Sequence, residues 1–327
     1  MNNKDDRFVL AATIIGGAFE YFDFFCFIFL APIISQLFFP KTSTYLPILF
    51  LYLTISASYL ARPLGGIIFG HIADKYGRKI SLLLSITLMV IPALIISVLP
   101  TYATIGISAT IVLVISRVMQ GLSMGNEYPS SITYISEKFK QQNRFLYFAF
   151  ILFASDLSIG CGALLIHLAI KHLSPEFMQS IGWRIPFMFA SILALIGVYL
   201  RKKAQETPIF MALMASKHIF TVPLHNLIKN YKISIAFGVI VGMIFFLLTS
   251  IFHIFLPSFL VTFYHLKLDV ATQITFWGTV VMGCATLMFA FILKFVDFIK
   301  VLQLTLISLC VILGLIVTKV INLDYIL

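Results

Sequence analysis

The sequence predicts an all-α integral membrane protein with about nine transmembrane helices. Of its 327 residues, 60% are apolar and 11% are charged, whereas a soluble domain carries about 45–50% and about 25%. The apolar residues are also gathered into runs of roughly 20, which is the length that crosses the hydrocarbon core of a bilayer as a helix. Together these observations exclude a soluble globular protein.

The predicted spans are separated by breaks that contain charged residues or proline. In chain order they lie at 8–37, 47–72, 80–99, 104–128, 145–170, 184–200, 232–257, 270–293 and 300–320. The first run follows a short charged tail and is too long and too rich in phenylalanine for a cleaved signal sequence. We therefore expect it to remain in the protein as the first span.

The distribution of positive charge predicts the orientation. With a cytoplasmic N-terminus, sixteen of the 23 Lys and Arg residues fall in cytoplasmic breaks and five in outer ones, while the remaining two lie within spans. This is the bias expected for a chain that starts inside the cell. The longest polar break then predicts a six-helix bundle at 1–200, a cytoplasmic central loop at 201–231 and an incomplete three-helix bundle at 232–327.

Apart from Lys and Arg residues at their ends, the predicted spans contain six charged residues: Glu20, Asp23, Arg62, Arg117, Glu127 and Asp156. A charge at the centre of a bilayer costs about 2.5–3.5 kcal/mol on insertion scales, so these side chains should face a cavity or one another. At 1.5 Å per residue, Glu20, Arg62, Arg117 and Asp156 all reach a depth of about 15–18 Å. Transporters hold substrates and coupling ions near this mid-plane.

Ion pairs that only fasten helices together would also explain such charges. We favour a functional role for the set because Glu20 and Asp23, three residues apart, share one helix face. The carboxyl groups of Glu20, Asp23, Glu127 and Asp156 are candidate proton carriers. Arg62 and Arg117, which stay cationic, are candidates for holding the carboxylate of a substrate or acting as counter-ions.

The segment 121–129 combines Gly121, Gly125, Glu127 and Pro129. Small residues at i and i+4 allow close helix contact, and we expect the proline to break the helix. Tyr21, Tyr128 and Trp183 suit cation–π contact with a quaternary ammonium, although packing explains them equally well and is the preferred interpretation.

Several ordered strings resemble a known family. Residues 70–79, with Gly70, Asp74, Gly77, Arg78 and Lys79, resemble the loop signature of the major facilitator superfamily, and Arg117-x-x-Gln120-Gly121 is similar to its second signature. Other segments resemble its metabolite:proton symporter branch, most of all the proline/betaine transporters: 17–24, 29–32, 62–66, 125–128, 182–187 and 206–210.

This resemblance implies major facilitator-type bundles that rock about a central site and import a small polar metabolite or osmolyte, such as proline or betaine, with protons. It also implies that Gly70, Asp74, Gly77, Arg78 and Lys79 form a cytoplasmic gating loop and that Arg117 lies in the cavity. The family has two six-helix halves, so a chain of nine spans is expected to be C-terminally truncated.

The alternatives are a dicarboxylate or tricarboxylate:proton symporter and a non-transporting remnant. An enzyme is not expected, because no catalytic constellation is present. The expected partners are a small-molecule substrate and the lipid bilayer of a bacterial inner membrane. No nucleic acid, metal or cofactor is expected, the proton being the coupling ion, and the oligomeric state stays open.

Overall fold

A computed structural model describes residues 4–308, except 41–42, 44, 140, 217–227, 257–258, 261–265, 298 and 306. Within these ranges the regular structure is entirely helical. The helices are α1 Lys4–Phe29, α2 Ala31–Phe38, α3 Leu46–Tyr76, α4 Arg78–Val98, α5 Tyr102–Ile105, α6 Ile107–Lys138, α7 Gln141–His172, α8 Pro175–Ser180, α9 Ile185–Lys203, α10 Pro208–Ala215, α11 Lys232–Ser250 and α12 Leu268–Ile292. A 3₁₀ turn at Gly182–Arg184 leads into α9, and a π-helical turn at Ile251–Phe255 follows α11.

Eight helical segments of the described chain are long and apolar enough to cross a membrane, and they coincide with the first eight predicted spans. The predicted all-α membrane fold is therefore confirmed. The ninth predicted span, 300–320, lies largely outside the described residues.

Two local expectations were wrong. The helix does not break at Pro129, because α6 continues through it to Lys138. In membrane helices the carbonyl that a proline leaves unpaired is accommodated by neighbouring helices and local adjustment. The first span, by contrast, is interrupted at Leu30. There Pro32, which has no N–H to donate, occupies the first turn of a new helix.

Helix α1 lies at the centre of the bundle. It is the most deeply buried of the eight described spans, with 83% of its most apolar window inside the protein, and it packs against α7 and α9. Around it, α3 and α4 pack on α6, while α7 also packs on α12. Large aromatic side chains fill the core between α1, α2 and α9: Phe24, Phe27, Phe38, Trp183 and Phe187.

Three glycines set the contact between α3 and α6. A Cβ atom on Gly121 would meet the carbonyl oxygen of Ser58, and one on Gly125 would meet that of Arg62. From the opposite helix, a Cβ on Gly65 would meet the carbonyl of Leu122. These backbones therefore touch, which confirms that the small residues of α6 serve close packing.

Replacing Gly125 with alanine should destabilise the protein, because the added methyl group must displace a neighbouring backbone rather than a flexible side chain. We expect a cost of about 1–3 kcal/mol, as for other overpacked sites, seen as a lower midpoint of thermal unfolding in detergent. The matched control is Gly278→Ala in α12, where a Cβ meets nothing within 4 Å. Equal midpoints for the two variants would contradict the tight contact.

Candidate functional site

Helix α1 directs two carboxyl groups towards α6. Glu20 and Asp23 lie one turn apart and are both fully buried. Across from them, α6 presents Arg117, Gln120 and Ser123, which are spaced by three residues and so share one face. The two helices thus place a line of polar side chains inside an otherwise apolar bundle.

Asp23 is held by two donors from α6. Arg117 Nη1 donates to Asp23 Oδ2 at 2.9 Å, and Gln120 Nε2 donates to the same oxygen at 3.0 Å. The guanidinium of Arg117 also lies over the ring of Phe27, 3.8 Å from its centroid. Asp23 Oδ1 and Arg117 Nη2 are buried without a hydrogen-bond partner in the described structure, so this ion pair has unused donor and acceptor capacity.

Glu20 has a weaker set of partners. Its Oε1 accepts a hydrogen bond of 2.9 Å from Ser123 Oγ, and its Oε2 is buried with no partner in the described structure. Within the described ranges, no cation lies within ion-pair distance of this carboxyl. A buried carboxylate with so little compensation is costly, and a proton on Oε2 would remove that cost.

Glu127 forms an ion pair with Arg201, and both side chains are almost completely buried. Arg201 Nη1 also donates to the carbonyl oxygen of Leu82 at 2.9 Å. The prediction that Arg201 is a cation of the cytoplasmic loop was wrong, because the residue lies in the last turn of α9 and its side chain is buried. The burial of Arg201 could not be recognised from the sequence, because it stands next to Lys202 and Lys203, which are both exposed.

A separate cleft opens between α1, α3, α6, α7, α11 and α12, with ≈ 590 Å³ of space that includes the part open to solvent. Arg62 and Asp156 supply its charges, and aromatic side chains form much of its wall: Tyr21, Phe25, Tyr59, Tyr128, Phe245 and Phe246. The Arg62 guanidinium lies over the Tyr59 ring, 3.9 Å from the centroid. Among the described residues no carboxylate lies within 4.0 Å of Arg62.

The predicted site residues therefore fall into separate groups. Arg62 and Asp156 share the cleft with Tyr21 and Tyr128, whereas Trp183 is buried in the apolar core. Arg117 is 1% exposed and does not line the cleft, since Asp23 holds it among the helices.

The residues of the predicted gating loop belong to a compact cluster of charged side chains. Gly77 alone joins α3 to α4, with a φ of 113° that favours glycine. Arg78 Nη1 donates to Asp74 Oδ1 at 2.7 Å, and Arg78 Nη2 donates to Glu137 Oε1 at 3.0 Å. Gly70 lies outside this cluster, with nothing within 4 Å of a Cβ built on it.

Glu206 completes the cluster from the segment that follows α9. Its two carboxylate oxygens accept 3.1 Å hydrogen bonds from the backbone N–H groups of Arg78 and Lys79, which are the orphan donors of the first turn of α4. Thr207 Oγ1 donates to Glu137 Oε2 at 2.6 Å. The Glu206 carboxylate therefore caps α4, and the adjoining Thr207 links the same segment to Glu137 at the end of α6.

Sequence reasoning missed several partners: Gln120, Ser123, Glu137, Arg201 and His253. The acidic residues Glu137 and Glu206 stood in predicted breaks, where a charge needs no partner. His253 is buried in the π-helical turn beside Asp156, with 3.9 Å between His253 Nε2 and Asp156 Oδ1. The one signal for His253 in the sequence was its position among the aromatic residues of the seventh predicted span. The described residues contain no cluster of three or more His, Cys, Asp or Glu side chains that could hold a metal.

The chain has relatives among curated transporters. It is 34% identical over 278 residues to the "Putative proline/betaine transporter" of Staphylococcus aureus strain MSSA476, which covers 82% of this chain and 58% of that protein. It is 36% identical over 204 residues to the "Proline/betaine transporter" of Salmonella typhimurium, covering 62% of this chain and 41% of that one. The chain thus spans about half the length of the curated relatives it matches.

Solved structures share the fold. A crystal structure of a D-xylose-proton symporter superposes with a TM-score of 0.66 over 86% of this chain and 67% of the other, at 17% sequence identity. The sequence profile of the Major Facilitator Superfamily matches residues 13–324. With its eight described spans and the signature strings at 70–79 and 117–121, the chain belongs to the Major Facilitator Superfamily.

Proposed function

We propose that this protein is a proton-coupled symporter that imports a small polar metabolite or osmolyte, such as proline or betaine, across the bacterial inner membrane. The observation that carries the proposal is the cleft with one cation, one carboxylate and an aromatic wall. The relatives reported above are named as transporters, and two of them as proline/betaine transporters.

The chemistry of the cleft favours a zwitterion. Arg62 presents a guanidinium that no described carboxylate occupies, so it suits the carboxylate of a substrate. Asp156 and the Tyr21, Tyr59 and Tyr128 rings suit a cationic nitrogen by charge and by cation–π contact. A dicarboxylate would need a second free cation, and Asp156 would repel it.

Proton coupling is assigned to the carboxyl groups of α1. Glu20 lacks a cationic partner and can hold a proton at Oε2. Protonation of Asp23 would cancel the negative charge that holds Arg117, so the α1–α6 contact depends on that proton. Neutralising either acid changes how these two central helices pack, which is the kind of two-state element that a coupled transporter requires.

We retain the orientation and organisation predicted from the sequence as parts of the proposal. The N-terminus is cytoplasmic, and 232–327 belong to an incomplete second bundle. The first bundle ends with α9 at Lys203 instead of at residue 200, so the central loop begins after it. The Arg78, Glu137 and Glu206 cluster then lies on the cytoplasmic side. It is suited to hold the first bundle in one of its two orientations, as expected for a gate.

Expressed in bacteria that lack their own proline and betaine uptake, the protein should accumulate radiolabelled proline or betaine, and a protonophore should abolish that accumulation. Uncoupling removes the driving force and leaves the protein unchanged. Labelled succinate serves as the dicarboxylate control. Proton-dependent accumulation of succinate alone would support the alternative symporter, and no uptake of any of these compounds by inserted protein would contradict the proposal.

Replacing Asp23 with asparagine should lower proton-driven accumulation at least tenfold, because an amide neither binds the proton nor carries the charge that pairs with Arg117. The measurement is the steady-state ratio of internal to external substrate. The matched control is Asp297→Asn, which changes an exposed aspartate beyond α12. Undiminished uphill uptake by the Asp23 variant would remove this residue from the coupling mechanism.

Replacing Arg62 with glutamine should raise the KM for substrate about tenfold to hundredfold, the loss expected for one charged hydrogen-bonded contact. Lysine at this position should recover part of the affinity, because it keeps the charge without the planar fork. Initial uptake rates over a range of substrate concentrations provide the KM. Lys202→Gln, which changes an exposed residue, is the control. A KM of the Arg62→Gln variant equal to that of the control would exclude Arg62 from the binding site.

A further inference from the structure

A buried histidine from the seventh span faces a carboxylate of the fifth. His253 is 1% exposed, and its Nε2 lies 3.9 Å from Asp156 Oδ1 on α7. Among the ion pairs of the described chain, this is the one that joins the first six spans to the seventh. Asp23 and Glu127, in contrast, pair with arginines inside the first six spans.

The hydrogen bond at the other ring nitrogen fixes the tautomer. His253 Nδ1 lies 2.9 Å from the carbonyl oxygen of Thr249. A carbonyl oxygen only accepts, so Nδ1 must carry the hydrogen. Nε2 is then the atom that gains or loses a proton, and it is buried without a hydrogen-bond partner in the described structure. Without a proton, its lone pair faces the carboxylate oxygen of Asp156.

One added proton makes the contact favourable. Located on Nε2, it gives an imidazolium beside a carboxylate; located on Oδ1, it gives a neutral acid beside a neutral imidazole. Either distribution removes the contact between a bare lone pair and a charged oxygen. A proton held at either atom would therefore benefit both side chains, which is the condition under which two neighbouring groups titrate as a pair.

The backbone around His253 is also unusual. Residues Ile251–Phe255 form a π-helical turn, and the N–H of Leu256 bonds to the carbonyl of Ile251, five residues back. Such turns are rare and occur frequently at functional sites. His253 is the central residue of this turn.

The other groups that surround His253 and Asp156 are aromatic rings, phenols and one arginine. Phe25 of α1 meets the imidazole edge-on, with 5.5 Å between centroids. The cleft beside Asp156 carries Arg62 and the phenols Tyr21, Tyr59 and Tyr128. From α12, Gly283 approaches the Cβ of Asp156, and residues 270–292 contain no charged residue, with Cys284 as their one thiol. Arg62 is thus the only fixed charge among the described residues that line this cleft.

We propose that His253 and Asp156 bind one proton between them and that this proton links the fifth and seventh spans beside the substrate cleft. The inference rests on the proposed symport, since it gives the coupling ion a second site beside Glu20 and Asp23. Because the two residues come from different predicted bundles, loss of the proton removes a favourable contact between them. The pair therefore connects protonation to the relative position of the bundles.

The test compares His253→Gln with wild type in two transport modes. Glutamine keeps polarity but does not titrate. Accumulation driven by a proton gradient should fall at least tenfold, while exchange of labelled for unlabelled substrate at equal pH should persist, because exchange needs no net proton movement. His172→Gln, at the exposed end of α7, is the matched control and should behave as wild type in both modes.

Asp156→Asn should also lower proton-driven accumulation at least tenfold, and the double variant should lose no more than either alone. The exchange comparison uses His253→Gln only, because Asp156 also faces the proposed substrate site. Proton-driven accumulation by His253→Gln equal to that of wild type would overturn the inference and leave the proposed symport standing. Absence of uptake by wild type would instead overturn the symport on which the inference rests.

Proton counting on purified protein provides a second readout that does not depend on transport. Titrated in detergent between pH 5 and 9, each single variant should bind about one proton fewer than wild type, and the double variant should show the same deficit. This comparison is restricted to variants that retain the wild-type helical spectrum. Deficits that add in the double variant, or no deficit at all, would mean that the residues do not share a proton.

Discussion

Carboxyl groups in the middle of a membrane-spanning bundle constrain everything packed around them. Each must meet a cation, a set of donors or a proton, because the surroundings offer little water to solvate the charge. Cations and donors serve two of these acids, since Asp23 has Arg117 and Gln120 and Glu127 has Arg201 from α9. Glu20 has one serine hydroxyl, and the proposed function adds a proton there. The helices that carry the acids must therefore stay close enough for these short contacts, and that requirement places α1 in the centre of the fold.

Close contact in turn depends on residues without side chains. Gly121 and Gly125 bring α6 against the backbone of α3, and Arg62 lies on α3 at the level of this seam. The Arg62 side chain can then extend past the seam to Met124 and to the ring of Tyr59, so that its guanidinium reaches the cleft instead of lipid. The glycine contact and the position of the cation are thus one structural feature, because a wider separation of α3 and α6 would move the guanidinium relative to the cleft.

How much could be predicted from the sequence differs by kind of information. The spans and the buried charges could be predicted from composition and depth. A charged residue inside a long apolar run is easily recognised once the run is placed across the bilayer. The pairing of those charges does not follow, because partners such as Asp23 and Arg117 are 94 residues apart in sequence and depend on how helices rotate about their axes. Arg201 illustrates the difficulty: its neighbours are exposed lysines, and only the position of Glu127 shows that it turns inward. The face on which His253 lies could not be predicted for another reason, because a π-helical turn changes the helical spacing by which residues are assigned to a face.

The structure separates two kinds of acid by what binds them. An arginine remains charged throughout a transport cycle, so the Asp23–Arg117 and Glu127–Arg201 contacts change only when the acid itself is neutralised. A histidine can change its own charge, so the contact between Asp156 and His253 can be made or lost from either side. Under the proposed function that difference matches their positions. The arginine pairs join helices of the first six spans, whereas the histidine pair joins the fifth and seventh spans beside the cleft that a rocking motion would open and close. A contact with a variable charge is suited to the moving boundary, because a permanent ion pair there would hold the cleft in one state.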